Sequence, residues 1–522
     1  MLSQISTTQK LFVMIGVMLA MFLASLDQTI VVTSLPRIVR DLNGLEHLSW
    51  VITSYMLSST VVVPIYGKLS DIYGRKIFIL SAVVIFLVGS VFSGLSQNMF
   101  QLIASRAIQG IGGGAIFANA FAIIGDLFPP AERGKWTGLI GGVFGLSSVI
   151  GPTLGGYLTD NFSWRWNFFI NIPIGIVALI GIYFLMPKIV HEVKDRSIDF
   201  AGAVFLSISL IAFLLGLVGI QSGSDFVSQF LLFSTAFVAV AIFIIVEREV
   251  SSPVLPLDLF KNSIFTVSSI LVFLTAFGMF GSILFIPLFA QIVLGVSATS
   301  SGAILTPMML SVVGGSIISG QMISRFGKYK IMSVLGIGIV IIALYLLSKM
   351  TASTTQSELV VRMIITGLGL GLTMPVFTLA VQNAFEHSKL GVVTASSQLF
   401  RSLGGVVGVT FLGSLLNLKL KDKLPGFFDQ VQNIQNVQNI NASHQSAGFA
   451  IALLKIKSAF SSAITEIFFL EIFVLAFAFV ISFFLKEIPL RKTHEGLEEI
   501  GRELAVDEGT FSSNEEPVVF ER

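Results

Sequence analysis

Three charges stand in stretches of this sequence that are otherwise apolar enough to cross a bilayer: Asp27, Arg106 and Glu471. A carboxylate in such a helix costs roughly 2.5–3.5 kcal/mol on insertion scales, so it faces a cavity or a partner, which makes Asp27 a candidate proton site. Arg106 can compete with a proton for a nearby carboxylate. Counted inward from the outer ends of their predicted helices, all three lie about 10 Å deep at 1.5 Å per residue. That common depth allows one shared proton-coupling and substrate cavity. The structural alternatives are an interfacial helix cap for Asp27, a permanent ion pair for Arg106 and a satisfied buried acid for Glu471.

A second chemical constellation is the ten-residue run Gly67-Lys68-Leu69-Ser70-Asp71-Ile72-Tyr73-Gly74-Arg75-Lys76, a loop held between two apolar stretches. Gly67 and Gly74 let backbones come close, while Asp71 can pair with a cation or cap a helix N-terminus. A looser copy runs from Gly320 to Lys330, with Gly67 and Gly320, like Gly74 and Gly327, 253 residues apart. Ser324 stands there in place of the acid, so any latch built on the pair is asymmetric. Arg106, Gln109 and the glycines at 110 and 112–114 have a counterpart in Arg362 and Gly367. These glycines suit close helix contact. They do not make a nucleotide loop, because no strand precedes them and the spacing is wrong. Gly151-Pro152-Thr153-Leu154-Gly155-Gly156 removes one helical hydrogen bond and thins its helix. Arg401, three residues after Gln398, is a further cation within an apolar stretch, in the inner half of the membrane.

The elements that must position these residues are membrane helices. Of 522 residues, 54% are hydrophobic and 12% charged, with a mean hydropathy of +0.88, outside the soluble range. Apolar runs of about 20 residues recur about fourteen times, without the alternation of a membrane β-barrel. The first run is too long for a signal-peptide core and stays as helix 1. With no cysteine there is no disulfide or thiolate metal site, and the five histidines fall in loops. A net charge of +2 without a basic stripe points away from nucleic acid. Placing both termini in the cytoplasm puts 20 of the 32 Lys and Arg in cytoplasmic segments, as the positive-inside rule requires.

The 67–76 loop closely resembles the loop between helices 2 and 3 of the major facilitator superfamily, and the helix 4 run from Arg106 resembles that family's fourth-helix motif. Three further runs resemble its fourteen-helix drug:proton antiporter subset: Leu26 to Pro36 in helix 1, Trp164 to Pro173 at the entry to helix 6, and Gln398 to Gly405. The Gly151-Pro152 run resembles the motif that separates exporters from importers. The resemblance implies an all-α major facilitator fold: an N-terminal six-helix bundle (1–198), two additional helices (199–250), a C-terminal bundle (251–490) and a cytoplasmic tail (491–522). It assigns Gly67, Asp71, Gly74, Arg75 and Lys76 to a conformational switch, and Gly151, Pro152, Gly155 and Gly156 to the antiporter helix. Asp27, Arg106 and Glu471 fall to coupling, with Gln109, Arg362, Gln398 and Arg401 as secondary positions. The linker 247–262 is expected on the surface, the outer segment 417–462 to include an amphipathic stretch, 447–460, on the membrane surface, and the tryptophans of 164–166 to anchor at the interface.

The function implied is export of hydrophobic, cationic or amphiphilic compounds by a monomer in the inner membrane. It is driven by the proton gradient and needs no cofactor. An envelope lipid exporter on the same fold is the alternative. A membrane-embedded enzyme lacks the clustered carboxylates or histidines it would need, and an uptake symporter fits the Gly151-Pro152 run less well.

Overall fold

The computed structural model describes residues 6–42, 48–187, 199–222, 225–250, 253–296, 305–386, 389–424 and 447–490. The five histidines, the polar run 430–441 and the tail 491–522 lie outside them. All secondary structure among the described residues is helical. Among the described residues, fourteen helices are long and apolar enough to cross a membrane. They are α1 (Thr7–Leu42), α2 (Leu48–Tyr73), α3 (Arg75–Leu95), α4 (Met99–Leu127), α5 (Pro130–Asn161), α6 (Asn171–Leu185, entered through a turn at Trp166–Phe169) and α7 (Phe200–Ser222). The series continues with α8 (Phe226–Glu249), α9 (Ser263–Phe289), α10 (Thr306–Phe326), α11 (Tyr329–Ser348), α12 (Gln356–Ala384), α13 (Leu390–Lys423) and α14 (Ala447–Ser482).

Short polar residues fix the helix starts. Asn98 accepts from the Gln101 amide at 2.9 Å and Asp225 from the Ser228 amide at 2.9 Å, and Thr355 with Glu358 forms a capping box. Between α2 and α3 the chain turns at Gly74 with φ of 101°, and between α10 and α11 at Gly327 with φ of 71°. Both are left-handed positions that favour glycine, at matching places in the repeated loop.

The repeat extends to packing. In the first half α2 and α3 pack on α4, α1 packs on α5 and α6, and α3 packs on α6. Adding eight to each label gives the pairings of the second half, α10 and α11 on α12, α9 on α13 and α14, α11 on α14. Each half has its own apolar core, one around Val17, Phe86 and Ile123, the other around Phe289, Ile337 and Phe377. The halves meet along α2 with α13 and α5 with α10, again an equivalent pair. Helices α7 and α8 pack on each other, and α7 lies against α2 and α13. Large apolar side chains such as Phe100 and Phe226 face outward, as suits a surface bathed in lipid rather than water.

Two expectations change. The linker 247–262 is not purely a surface strand: Val254, Leu255 and Leu259 are buried in the cluster beneath α7 and α8, and the Glu247 carboxylate accepts from the Val254 and Leu255 amides at 3.1 Å each. The stretch 447–460 is continuous with the last membrane helix, because nothing between Ala447 and Ser482 interrupts α14. Glu466, further along α14, binds Lys419 and Lys423 of α13 and ties the adjoining ends of the two helices together.

Candidate functional site

Asp27 is fully buried and its two oxygens take three donors. Oδ2 accepts from Arg106 Nη1 at 2.5 Å, and Oδ1 from Gln109 Nε2 at 2.8 Å and Asn171 Nδ2 at 3.1 Å. Arg106 and Gln109 lie three residues apart on one face of α4, and Nη1 of Arg106 also donates to Gln109 Oε1 at 2.7 Å. The guanidinium stacks over the Tyr55 ring with 4.4 Å to its centroid, a cation–π contact that favours the positive charge. Asn171 donates a second bond, 2.9 Å, to Ser90 Oγ. Glycines in α4 allow this closeness: a Cβ on Gly112 would run into the Phe86 backbone of α3 and one on Gly114 into the Ser59 backbone of α2.

Sequence reasoning found Asp27, Arg106 and Gln109 but missed Asn171, Ser90 and Tyr55. Asn171 belongs to the Trp164 to Pro173 run, to which only an anchoring role was given. Trp164 is itself fully buried, its Nε1 donating to Asp41 at 3.0 Å, whereas Trp166 faces outward.

Glu471 does not join the group. It lies within the second half, where a Cβ on Gly281 of α9 would meet its Oε1 and the Leu412 side chain. Neither of its oxygens has a hydrogen-bond partner among the described residues. Depth placed the three charges at one level, but helix rotation, which depth does not fix, puts Glu471 in a different bundle. Arg362 likewise differs from its counterpart, reaching among the described residues Glu358 on its own helix at 4.0 Å.

A cavity lies between the halves, with walls from α1, α2, α4, α5, α9, α12 and α13. Met21, Met56, Phe117, Phe121, Phe144, Met279, Phe280 and Met374 make it largely apolar, and Gln28, Thr137, Gln398 and Ser402 add polar points. Gln28 adjoins Asp27, so the buried network stands directly behind the cavity wall. Arg401 is the one charged residue in the lining among the described residues, and no carboxylate is there. The space is about 140 Å³, below the roughly 300–1,000 Å³ of sites that hold drug-sized molecules. The two halves must therefore part further to admit one.

On the face carrying the 67–76 loop, the two halves are in close contact. A Cβ on Gly67 would strike Ala395 and come within 3.2 Å of the Gly391 carbonyl, and one on Gly134 would come within 2.7 Å of the Gly320 carbonyl. Asp71 Oδ2 accepts from the Val392 amide in the first turn of α13 at 2.9 Å, a bond between the halves. Arg75, fully buried, pairs with Asp71, donates to Asp126 Oδ2 at 2.7 Å and to Ser70 Oγ at 2.5 Å. Arg133 donates across the interface to the Gln382 carbonyl at 3.3 Å. Asp126 and Arg133 were not singled out in the sequence, where they look like ordinary loop charges. Lys76 stands apart, its Nζ 5.5 Å from the Tyr183 ring centroid.

Within the 151–156 run of α5, a Cβ on Gly151 would lie 2.8 Å from Thr29 Cβ and 3.3 Å from the Ile30 amide of α1, whereas a Cβ on Gly156 meets nothing within 4 Å. Pro152 follows inside the helix, and the Gly155 carbonyl accepts from Thr159 at 2.7 Å and Asn167 at 3.4 Å. Gly151→Ala should therefore destabilise the protein by about 1–3 kcal/mol through overpacking and impair transport, while Gly156→Ala leaves both near wild type. Thermal unfolding and vesicle transport at matched protein levels check this pair, and equal effects would mean that α1 and α5 separate freely.

A family model described as the Major Facilitator Superfamily matches residues 17–409. The chain is 38% identical over 515 residues to the multidrug transporter protein MdtP of Bacillus subtilis, covering 92% of this chain and 94% of that protein. It is also 38% identical over 501 residues to multidrug resistance protein 3 of the same organism, covering 93% and 96%. Among solved structures, the human organic anion transporter MFSD10 aligns with a TM-score of 0.61 at 15% identity, covering 89% of this chain and 99% of that one. The proton:xylose symporter XylE aligns at 0.60 and 13%, covering 95% and 99%. At such identities these two show the fold alone.

Proposed function

Since the chain belongs to the major facilitator superfamily, a family of multi-pass membrane transporters, we propose that it exports lipophilic small molecules in exchange for protons by alternating access. The relatives named for multidrug transport and resistance support export of such compounds. The observation that carries the coupling is the Asp27–Arg106 pair, a buried ion pair one residue behind the cavity wall. A proton reaching Asp27 would cancel one charge of that pair and leave Arg106 uncompensated in a low-dielectric site, so proton arrival must be accompanied by rearrangement of α1 against α4. The 67–76 loop, outside the cavity lining, would then act by holding the two halves together or releasing them. Each proton crossing 100 mV supplies about 2.3 kcal/mol, enough for roughly 50-fold accumulation without ATP.

The cation distribution supports an orientation with the 67–76 loop and both termini on the cytoplasmic side. In that orientation the conformation described is closed toward the cytoplasm. The test is reconstitution into liposomes with an imposed pH gradient and a panel of lipophilic dyes. Accumulation that follows the pH gradient, collapses with a protonophore and ignores ATP is expected. Dye movement unaffected by the gradient would overturn proton coupling, and absence of any dye movement in protein that binds dye would overturn export.

A further inference from the structure

Arg401 has no hydrogen bond, ion pair or ring contact with any described residue, although it sits within the protein at the wall of the central cavity. Of the other buried arginines, Arg75 engages two carboxylates, Arg106 engages Asp27 and Arg133 three carbonyls, while the partly buried Arg362 on α12, away from the cavity lining, is 4.0 Å from Glu358 of its own helix. A guanidinium carries five donors and stays charged at every physiological pH, so one left without partners in an apolar cleft is a costly arrangement unless something enters to meet it.

Its surroundings are built for an entering group. Gln398, Arg401, Ser402 and Gly405 all line the cavity, at the spacing that puts them on one face of α13. Gly405 has no side chain where the Phe280 ring lies against the helix, since a Cβ there would be 2.7 Å from that ring. The guanidinium therefore has amide and hydroxyl groups beside it and aromatic and methionine side chains across from it. Asp27, the nearest acid in sequence to a lining residue, has both oxygens taken by Arg106, Gln109 and Asn171, so its charge is neutralised behind the wall.

From this geometry we infer that the central cavity is a site for anionic amphiphiles, with the carboxylate, sulfonate or phosphate of the ligand on Arg401, Gln398 and Ser402 and its apolar body against the phenylalanines and methionines. Planar donors in a fork match such oxyanions in two-point fashion. The inference rests on the export reading for its site but makes a separate claim, namely the sign of the charge that the site selects.

The test compares tetraphenylborate with tetraphenylphosphonium, two hydrophobic ions of nearly the same size and shape and opposite charge, in equilibrium binding to the purified full-length protein. Comparing wild type with Arg401→Gln in the same micelles cancels the micelle's own preference between the ions. Wild type should favour the borate over the phosphonium by about tenfold more than Arg401→Gln does, through charge attraction alone, since neither ion carries a hydrogen-bonding atom. Arg401→Lys should keep most of that preference, and it guards against a folding defect in the glutamine variant. An unchanged ratio in Arg401→Gln, or a wild type that prefers the phosphonium relative to that variant, would overturn the inference. Because binding is read without a gradient, proton-driven dye export with no charge preference sinks this inference alone, and a clear preference without gradient-driven transport sinks the export reading alone.

Discussion

Asp27→Asn should bind substrate but release no proton when it does. In detergent-solubilised wild type, adding substrate is expected to acidify a weakly buffered solution, because the rearrangement that admits the ligand re-forms the bond of Asp27 to Arg106, 2.5 Å in the closed state, and expels the proton that had replaced it. Asparagine keeps the size and an oxygen that can accept from Arg106, but it cannot titrate. It also removes the countercharge of a buried guanidinium, and breaking a buried pair costs roughly 3–5 kcal/mol, so the variant should melt lower and must be assayed below its transition. Accumulation driven by a pH gradient should fall at least tenfold, while substrate exchange that moves no net proton persists. If Asp27→Asn releases protons as wild type does, the coupling group lies elsewhere. Glu471, buried without a partner among the described residues, is then the next to test.

What the sequence made legible follows from cost. A charge in an apolar run is conspicuous because it is expensive, so Asp27, Arg106 and Glu471 stand out unaided. Uncharged polar residues are cheap inside helices, and Asn171, Ser90 and Tyr55 therefore stay inconspicuous, although Asn171 completes the donor set around Asp27 and Ser90 accepts from Asn171. Length and hydropathy are properties of one dimension, which is why fourteen spans could be counted before any contact was known. Rotation about a helix axis is not such a property. It decides that Gly151 and not Gly156 meets α1, that Glu471 lies apart from Asp27, and that Arg401 faces the cavity. The repeat in the 67–76 loop pointed to two related halves, and the matched positive φ at Gly74 and Gly327 shows the physical constraint that both copies obey.

Asp71→Asn should slow turnover severely while leaving substrate affinity almost unchanged, because Asp71 is remote from the cavity lining and acts on the closed state of the loop face. In that state its carboxylate accepts from the Val392 amide at the start of α13 and pairs with Arg75. A negative charge at a helix N-terminus contributes up to about 2 kcal/mol in partly buried geometry, and this contribution exists only while the halves are together. Removing the charge should thus shift the equilibrium toward the open loop face by about tenfold, equivalent to roughly 1.4 kcal/mol, and Arg75 retains Asp126 so that α3 stays folded. The absence of cysteine gives a clean background for reading this shift. Thr394→Cys places a thiol beside Gln382, which reaches across to the Phe121 carbonyl of the other half at 3.1 Å. Its labelling by a water-soluble maleimide should be slow in the parent and about tenfold faster with Asp71→Asn. Unchanged labelling together with lost transport would mean that Asp71 governs something other than closure, and equal losses of affinity and turnover would place it in the binding site instead.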